Sequence, residues 1–332
     1  MIDCLSSQCW LNPQIDFLLF LQNIRISHFE AFNKLFLSIT ILGELWLPTL
    51  ICAITYWCID LRAGVYLFSL ASCNAIITHF AKMLACVYRP WVLSDKMCPV
   101  SEAVAFAKGY SFPSGHTAMS SSVLGGIAFL QRHKIFRCLS IIFLILLVGF
   151  SRLWMGVHTP QDVVFGLLTG LTLVFVMDAL INWAEKDKNR YLYLLCLINA
   201  FAVFALVFVC YFNSYRMDYV NGKLLVDPIR QIYTMVVCSG LALGLINGAF
   251  VCRVFFPFNP KNGSKKVRIL RGLIGGTLLV CVMRGILQPI FFNMIDFKFA
   301  IIYAIIIGLT ITLVYPLIFT KVESFLLNSA IQ

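Results

Sequence analysis

Between Tyr110 and Asp162 the sequence gathers side chains that rarely meet in so apolar a chain. The run Ser111-Phe112-Pro113-Ser114-Gly115-His116 opens this stretch, and Ser151-Arg152, His158 and Asp162 close it; Lys82 and Arg89-Pro90 stand upstream. Three cations, two histidines and a carboxylate are the parts of a site that binds a multiply charged anion beside a nucleophile. Lys82, Arg89 and Arg152 would meet the anion and hold the charge that builds in a transition state. Arginine does so with planar, bidentate donors and lysine as a point charge. Ser114 and Gly115 fall at a predicted helix start, where unsatisfied backbone N–H groups attract anions.

The histidines divide the proton work. His158 is followed at the fourth position by Asp162, a spacing that one helical turn brings together. A carboxylate on one ring nitrogen fixes the tautomer and leaves the other nitrogen free to attack. His116, on the opposite flank, would protonate the leaving oxygen and later help activate water. His28, His79 and His133 are read as ordinary packed or surface histidines, His79 being the least secure because it lies one turn before Lys82. No cluster of carboxylates and no paired Cys-x2-Cys spacing offers a metal site. Metal independence and no cofactor are therefore expected.

The elements that must position these groups are membrane helices. The 332-residue chain is 60% hydrophobic and 12% charged, far from the charge content of a soluble domain. Apolar runs of about 20 residues, enough to span a bilayer, recur at 35–58, 63–81, 114–131, 136–151, 161–183, 191–212, 231–252, 270–292 and 299–320. The expectation is an all-α, polytopic bundle of about nine spans. Residues 11–29, interrupted by Asp16 and Arg25, are too short to span and read as an interfacial helix. No cleavable signal peptide is expected, because Asp3 and Asp16 stand where a basic region should be.

The net charge of +11 does not indicate nucleic acid, since the basic residues fall in short loops as the positive-inside bias requires. Traced through the spans, one side collects Arg62, Arg132, Lys134, Arg137, Lys186, Lys188, Arg190 and the basic residues of 253–271. That side is read as cytoplasmic, which turns the Lys82, Arg89 and Arg152 side outward. Of thirteen cysteines, Cys4, Cys9 and Cys98 fall on the outward side, where they could pair.

The pattern Lys-x6-Arg-Pro at Lys82, Pro-Ser-Gly-His ending at His116, and Ser-Arg-x5-His-x3-Asp ending at Asp162 resembles the three-part signature of the type 2 phosphatidic acid phosphatase superfamily. The resemblance covers roughly residues 30–183. It implies a phosphohistidine on His158, His116 as acid, and phosphate held by Lys82, Arg89, Ser114, Gly115 and Arg152. It also implies a membrane lipid phosphatase acting on a substrate such as undecaprenyl diphosphate, phosphatidate or phosphatidylglycerol phosphate in the plasma (inner) membrane. A phosphotransferase, or a lipid transporter or scramblase without turnover, is the alternative. The implied organisation is an N-terminal segment 1–34, a phosphatase core 35–185 of about five spans, and a C-terminal bundle 186–332 of about four.

Outside the signature, Glu44 and Pro48 lie within the first span, and an intramembrane carboxylate is expected to face the bundle interior. Residues 91–110 join two parts of the site and read as its lid or wall, or else as a plain solvated loop. Gly240, Gly244 and Gly248 share one helix face, as do Gly272 and Gly276, a spacing for close helix packing or for the seam of a homodimer. Arg284 would snorkel, pair with Glu44 or reach the substrate.

Overall fold

The computed structural model describes residues 11–107, 109–212, 219–220, 223–287 and 296–329. Almost every described residue is helical, as lipid requires of a backbone that has no water to satisfy it. In chain order the helices are α1 (Asn12–His28), α2 (Phe32–Thr40), α3 (Trp46–Ile54), α4 (Leu61–Ala85), α5 (Pro90–Leu93), α6 (Ser101–Phe106) and α7 (Gly115–Leu130). Then come α8 (Ile135–Trp154), α9 (Pro160–Ala184), α10 (Lys188–Val207), α11 (Pro228–Phe255), α12 (Lys265–Val282), α13 (Phe297–Leu309) and α14 (Tyr315–Ser329). A two-residue antiparallel pair, Tyr219–Val220 with Lys223–Leu224, lies between α10 and α11.

Seven of the described helical stretches are long and apolar enough to cross a membrane, and a bent pair makes an eighth if counted as one. The sequence reading of about nine is not reached among the described residues. The stretch read as 114–131 is α7, whose 16 residues make about 24 Å of helix, short of the ~30 Å hydrocarbon core. It is buried in protein along most of its length. The bent pair is the first predicted span. After α2 the chain makes a tight turn at Ile41–Gly43, Glu44 is extended, and the two halves meet at 51°. Pro48 causes the break: it has no N–H for the Glu44 carbonyl, and its ring clashes with that carbonyl in a continuous helix. In the first turn of α3 the same proline is tolerated.

The chain divides into two compact units, each assembled from separated segments. The first comprises Met1–Glu44, Ile77–Val174 and Ala205–Met235. Here α7 lies against α9 at two glycines: a methyl on Gly166 would sit 2.8 Å from the Ser114 carbonyl, and one on Gly170 2.7 Å from that of Ala118. Three consecutive serines of α7, Ser120, Ser121 and Ser122, are fully buried and donate back to carbonyls of their own helix. Helix α1 turns Ile15, Leu18, Gln22 and Arg25 inward and leaves Phe17, Phe20 and Ile26 exposed. Gln22 bonds Lys96 and Cys98, Arg25 reaches the Cys98 carbonyl, and Gln14 accepts from the Gln161 amide at 2.9 Å. The 91–110 segment is a packed wall: Val100, Ala103 and Ala107 of this segment cluster with Met155 and Val157.

The second unit comprises Leu45–Ile76, Phe175–Phe204 and Val236–Gln332. Gly240, Gly244 and Gly248 are filled by the chain's own α13 and the turn after it, with the Ile301 and Ile305 carbonyls and Thr312 against them. The packing reading of that motif holds for this face. Helix α13 loosens at Thr310–Val314. The carbonyls of Ile311 and Thr312 there accept from the Trp57 indole at 2.9 Å and the Tyr56 hydroxyl at 3.1 Å. The Arg284 guanidinium lies over the Trp46 ring at 5.2 Å. Cys98 is exposed with a free thiol, while Cys4, Cys9, Lys108 and Arg216 lie outside the described residues.

Candidate active site

All eight residues singled out in the sequence fall in the first unit, at the ends of helices that converge. Lys82 occupies the last turn of α4 and Arg89 the residue before α5. Ser114 caps α7, and Gly115 and His116 form its first turn. Arg152 is in the last turn of α8, and Asp162 in the first turn of α9. Lys82, Arg89, Arg152, His158 and Asp162 are each no more than 5% exposed. Such burial of charge is costly unless the charges find partners, so the partners define the site.

Lys82 Nζ donates to the Tyr110 and Ser111 carbonyls, both at 2.9 Å. Arg89 donates from Nε to the Gly109 carbonyl at 3.1 Å and from Nη1 to the Val157 carbonyl at 2.8 Å. The same Nη1 lies 2.9 Å from His158 Nε2. Arg152 donates from Nη1 to Thr40 Oγ1 at 2.9 Å, while its buried Nε and Nη2 have no partner among the described residues. His116 is half-buried and within electrostatic reach of Arg152, His158, Arg89 and Lys82. Glu44, at the break between α2 and α3, is within electrostatic reach of Arg152. Gly43 packs so closely on the His116 backbone that any Cβ would collide with it.

Asp162 holds His158, though not through a helical turn as its spacing suggests. Helix α9 begins at Pro160, so His158 precedes it and the two meet across a capping turn. The Thr159 amide donates to Asp162 Oδ2 at 2.8 Å, and Thr159 Oγ1 faces the Asp162 amide at 3.4 Å, a reciprocal capping box. Asp162 Oδ2 also lies 3.2 Å from His158 Nδ1 and accepts from Ser111 Oγ at 2.5 Å. With Nδ1–H directed at the carboxylate, Nε2 carries the lone pair. Burial first, and then Arg89, Lys82 and Arg152, hold the His158 imidazole well below its ordinary pKa, which favours the neutral ring.

Two features were not read from the sequence. Ser111 stands in the quoted motif without a role, and its hydroxyl is a partner of Asp162. Thr40, 112 residues from Arg152, carries no local signal. The Thr159-x-x-Asp162 spacing itself was the available sign of the cap. The Ser114 amide is committed to the Asp162 carbonyl at 2.9 Å, which leaves the amides after it to face an anion.

Residues 62–186 match the family described as PAP2 superfamily, and residues 236–326 match the one described as PAP2 superfamily phosphatase, transmembrane extension. The chain thus carries a PAP2 superfamily domain followed by a PAP2 transmembrane extension. It is 31% identical over 116 residues to a protein of Bacillus subtilis (strain 168) named phosphatidylglycerophosphatase B. That match covers 32% of this chain and spans about half, 55%, of the relative's length. No solved structure matches the chain significantly.

Proposed function

We propose that this integral membrane protein hydrolyses a lipid phosphate through a phosphohistidine on His158. The observation that carries the reading is Arg152: a guanidinium 2% exposed with two nitrogens that have no partner among the described residues, next to two more buried cations, with Asp162 as the buried carboxylate and Glu44 within electrostatic reach. A site with that deficit is completed by an anion of two or more charges. A phosphate dianion would draw Arg89 away from His158 Nε2 and free the lone pair as it binds.

His158 Nε2 then attacks phosphorus and the bond to the leaving oxygen breaks. His116, which takes up a proton as the phosphate dianion binds beside it, delivers that proton to the leaving oxygen, and Asp162 stabilises the imidazolium that forms on His158. Water, deprotonated by His116, attacks the phosphohistidine, releases inorganic phosphate and restores His158. Lys82, Arg89, Arg152 and the amides after Ser114 hold the equatorial oxygens throughout. The arginines supply the charge that a divalent ion gives other phosphatases, which supports metal independence.

For the substrate we favour an amphiphile whose tail stays in the bilayer, with phosphatidylglycerol phosphate first because of the relative's name, and phosphatidate or undecaprenyl diphosphate after it. The positive-inside tally supports a site facing away from the cytoplasm in the plasma membrane. The test is phosphate release from these lipids in detergent, with His158→Ala as the blank. No release above that blank from any of them sinks the reading.

A further inference from the structure

The C-terminal half of the chain sends one side chain into the architecture of this site. Gln231, in the first turn of α11, is 3% exposed and lies in the first unit with the signature residues. It falls outside both matched stretches, which end at 186 and resume at 236. Its amide Nε2 donates to His79 Nδ1 at 2.9 Å. His79 sits one turn before Lys82 on α4 and within electrostatic reach of it. On its other side, Gln231 Oε1 lies where a Cβ of residue 109 would be. Residue 109 is a glycine with φ +87°, so both the conformation and the space require it.

Gly109 is the first of three successive residues whose carbonyls hold the phosphate-facing cations. Its own accepts from Arg89 Nε at 3.1 Å, and those of Tyr110 and Ser111 accept from Lys82 Nζ at 2.9 Å each. Ser111 further holds Asp162. The loop that sets both cations and the carboxylate is thus wedged from behind by one amide, whose other end is anchored to the helix that carries Lys82.

We propose that Gln231 is a positioning residue: wedged between His79 and Gly109, it fixes the carbonyls that aim Arg89 and Lys82 at the phosphate. The inference rests on the phosphatase reading for its chemistry. It gives the first turn of α11, which belongs to the first unit, a part in the frame of the signature without contact to substrate. Misplacing such groups by about 1 Å costs on the order of 10²-fold.

The experiment uses the full chain in detergent with inorganic vanadate as the probe of the anion site. Vanadate affinity, kcat, KM and the unfolding midpoint are measured for Gln231→Ala, Gln231→Met, Gly109→Ala and the Gln231→Ala/Gly109→Ala pair. Gln231→Ala should weaken vanadate binding and lower kcat/KM by roughly 10–100-fold, with the midpoint kept. Gln231→Met retains the bulk without the amide and should also lose affinity; it serves as the test if the alanine variant does not fold. Gly109→Ala should lose affinity, and the double variant should lose less than the two single losses combined, because the shortened side chain makes room.

Wild-type vanadate affinity and kcat/KM in both Gln231 variants would overturn the proposal, and so would strictly additive losses. A wild-type protein that binds vanadate but turns over no lipid phosphate would refute the phosphatase reading alone, and vanadate affinity would still decide on Gln231. A wild-type protein that binds no vanadate would overturn both.

Discussion

Two arginines buried to the same degree do opposite things in this molecule. Arg271, on α12 in the second unit, is 3% exposed, and every nitrogen of its guanidinium has a partner. Nε and Nη2 take the two oxygens of Glu323 at 2.9 and 2.7 Å. Nη1 donates to the Trp57 and Pro260 carbonyls at 2.8 and 3.0 Å, and Nη2 also to that of Asn262 at 3.0 Å. The ring of Phe319 covers its face at 4.3 Å. Arg152, 2% exposed in the first unit, has Thr40 and two idle nitrogens. A buried guanidinium whose fork is full is a strut; one left short of acceptors is a receptor for an acceptor that comes and goes. The difference separates scaffold from site without reference to any motif.

The largest effect expected is at the nucleophile. His158→Ala should cut turnover of a lipid phosphate by at least about 10⁴-fold, with the unfolding midpoint held. His116→Ala should abolish turnover on the same lipid, yet form phosphoenzyme from an aryl phosphate, whose leaving oxygen needs little protonation. General acid help is typically worth about 10²–10⁴-fold. Rapid-quench trapping of acid-labile phosphohistidine separates the two, and Asp162→Asn should fall between them. Label found in His158→Ala and absent from His116→Ala would reverse the roles of the two histidines.

The arginines come next, and they test the comparison directly. Arg271→Gln leaves Glu323 and three carbonyls short of donors, and breaking a buried pair typically costs about 3–5 kcal/mol. A large fall in the midpoint is expected, with kcat/KM unchanged in whatever remains folded. Arg152→Gln should do the reverse, losing about 10²–10³-fold in kcat at an unchanged or higher midpoint, because it removes a buried charge whose hydrogen-bonding capacity is largely unmet among the described residues. If Arg152→Gln unfolded the protein while Arg271→Gln did not, the distinction between strut and receptor would be wrong.

The receptor half of this contrast was legible in the sequence and the strut half was not. Lys82, Arg89, Arg152, His116, His158 and Asp162 announce themselves because charge and imidazole are improbable in apolar helices. Arg271 could not be told from the other basic residues of the 253–271 loop, since what distinguishes it is Glu323, 52 residues on. Thr40, Gln231 and the Ser111 hydroxyl were missed for a related reason: small polar residues carry no periodic signal, and their roles depend on which distant group they meet. The break at Glu44 was within reach. Pro48 lies four residues later, and a rule about ring and carbonyl was enough to place it. Hydropathy alone does not decide α7, where a short helix wrapped in protein is as apolar as one wrapped in lipid.

Acidity offers a subtler test. His158 is held below its ordinary pKa, by burial first and then by Arg89, Lys82 and Arg152. The free enzyme therefore keeps it neutral down to below about pH 6.5, the ordinary imidazole value. The sign follows: its contribution to stability is full above that value and declines as pH falls below it, where only the unfolded chain takes up the proton. The acid limb of kcat/KM reports the same group. Arg89→Gln removes the second-ranked cause, so the limb should move upward in pH. The substrate's own ionisation is identical in both proteins, so it cancels in the comparison. A limb that stayed in place, or moved down, would mean that His158 does not set it.

The smallest effect belongs to a second Arg–Glu pairing, which shows that residue types alone do not make a strut. Glu185 accepts from Arg62 Nε at 2.7 Å and from Arg253 Nη1 at 3.4 Å, the first as short as the contacts of Glu323. The arginine side chains there are 48% and 38% exposed, against 1% for Arg271. Water and salt screen the exposed charges, and holding three long side chains in one arrangement costs entropy; such pairs are typically worth about 0.2–1 kcal/mol. Glu185→Gln should therefore shift the unfolding midpoint by no more than a degree or two and leave kcat/KM unchanged. The residual shift should vanish in high salt, where exposed pairs are screened. Glu323→Gln should cost several times more, and its cost should survive the salt, because the desolvated Arg271 would lose its counter-charge. Equal losses for the two glutamates would mean that burial is not what separates them.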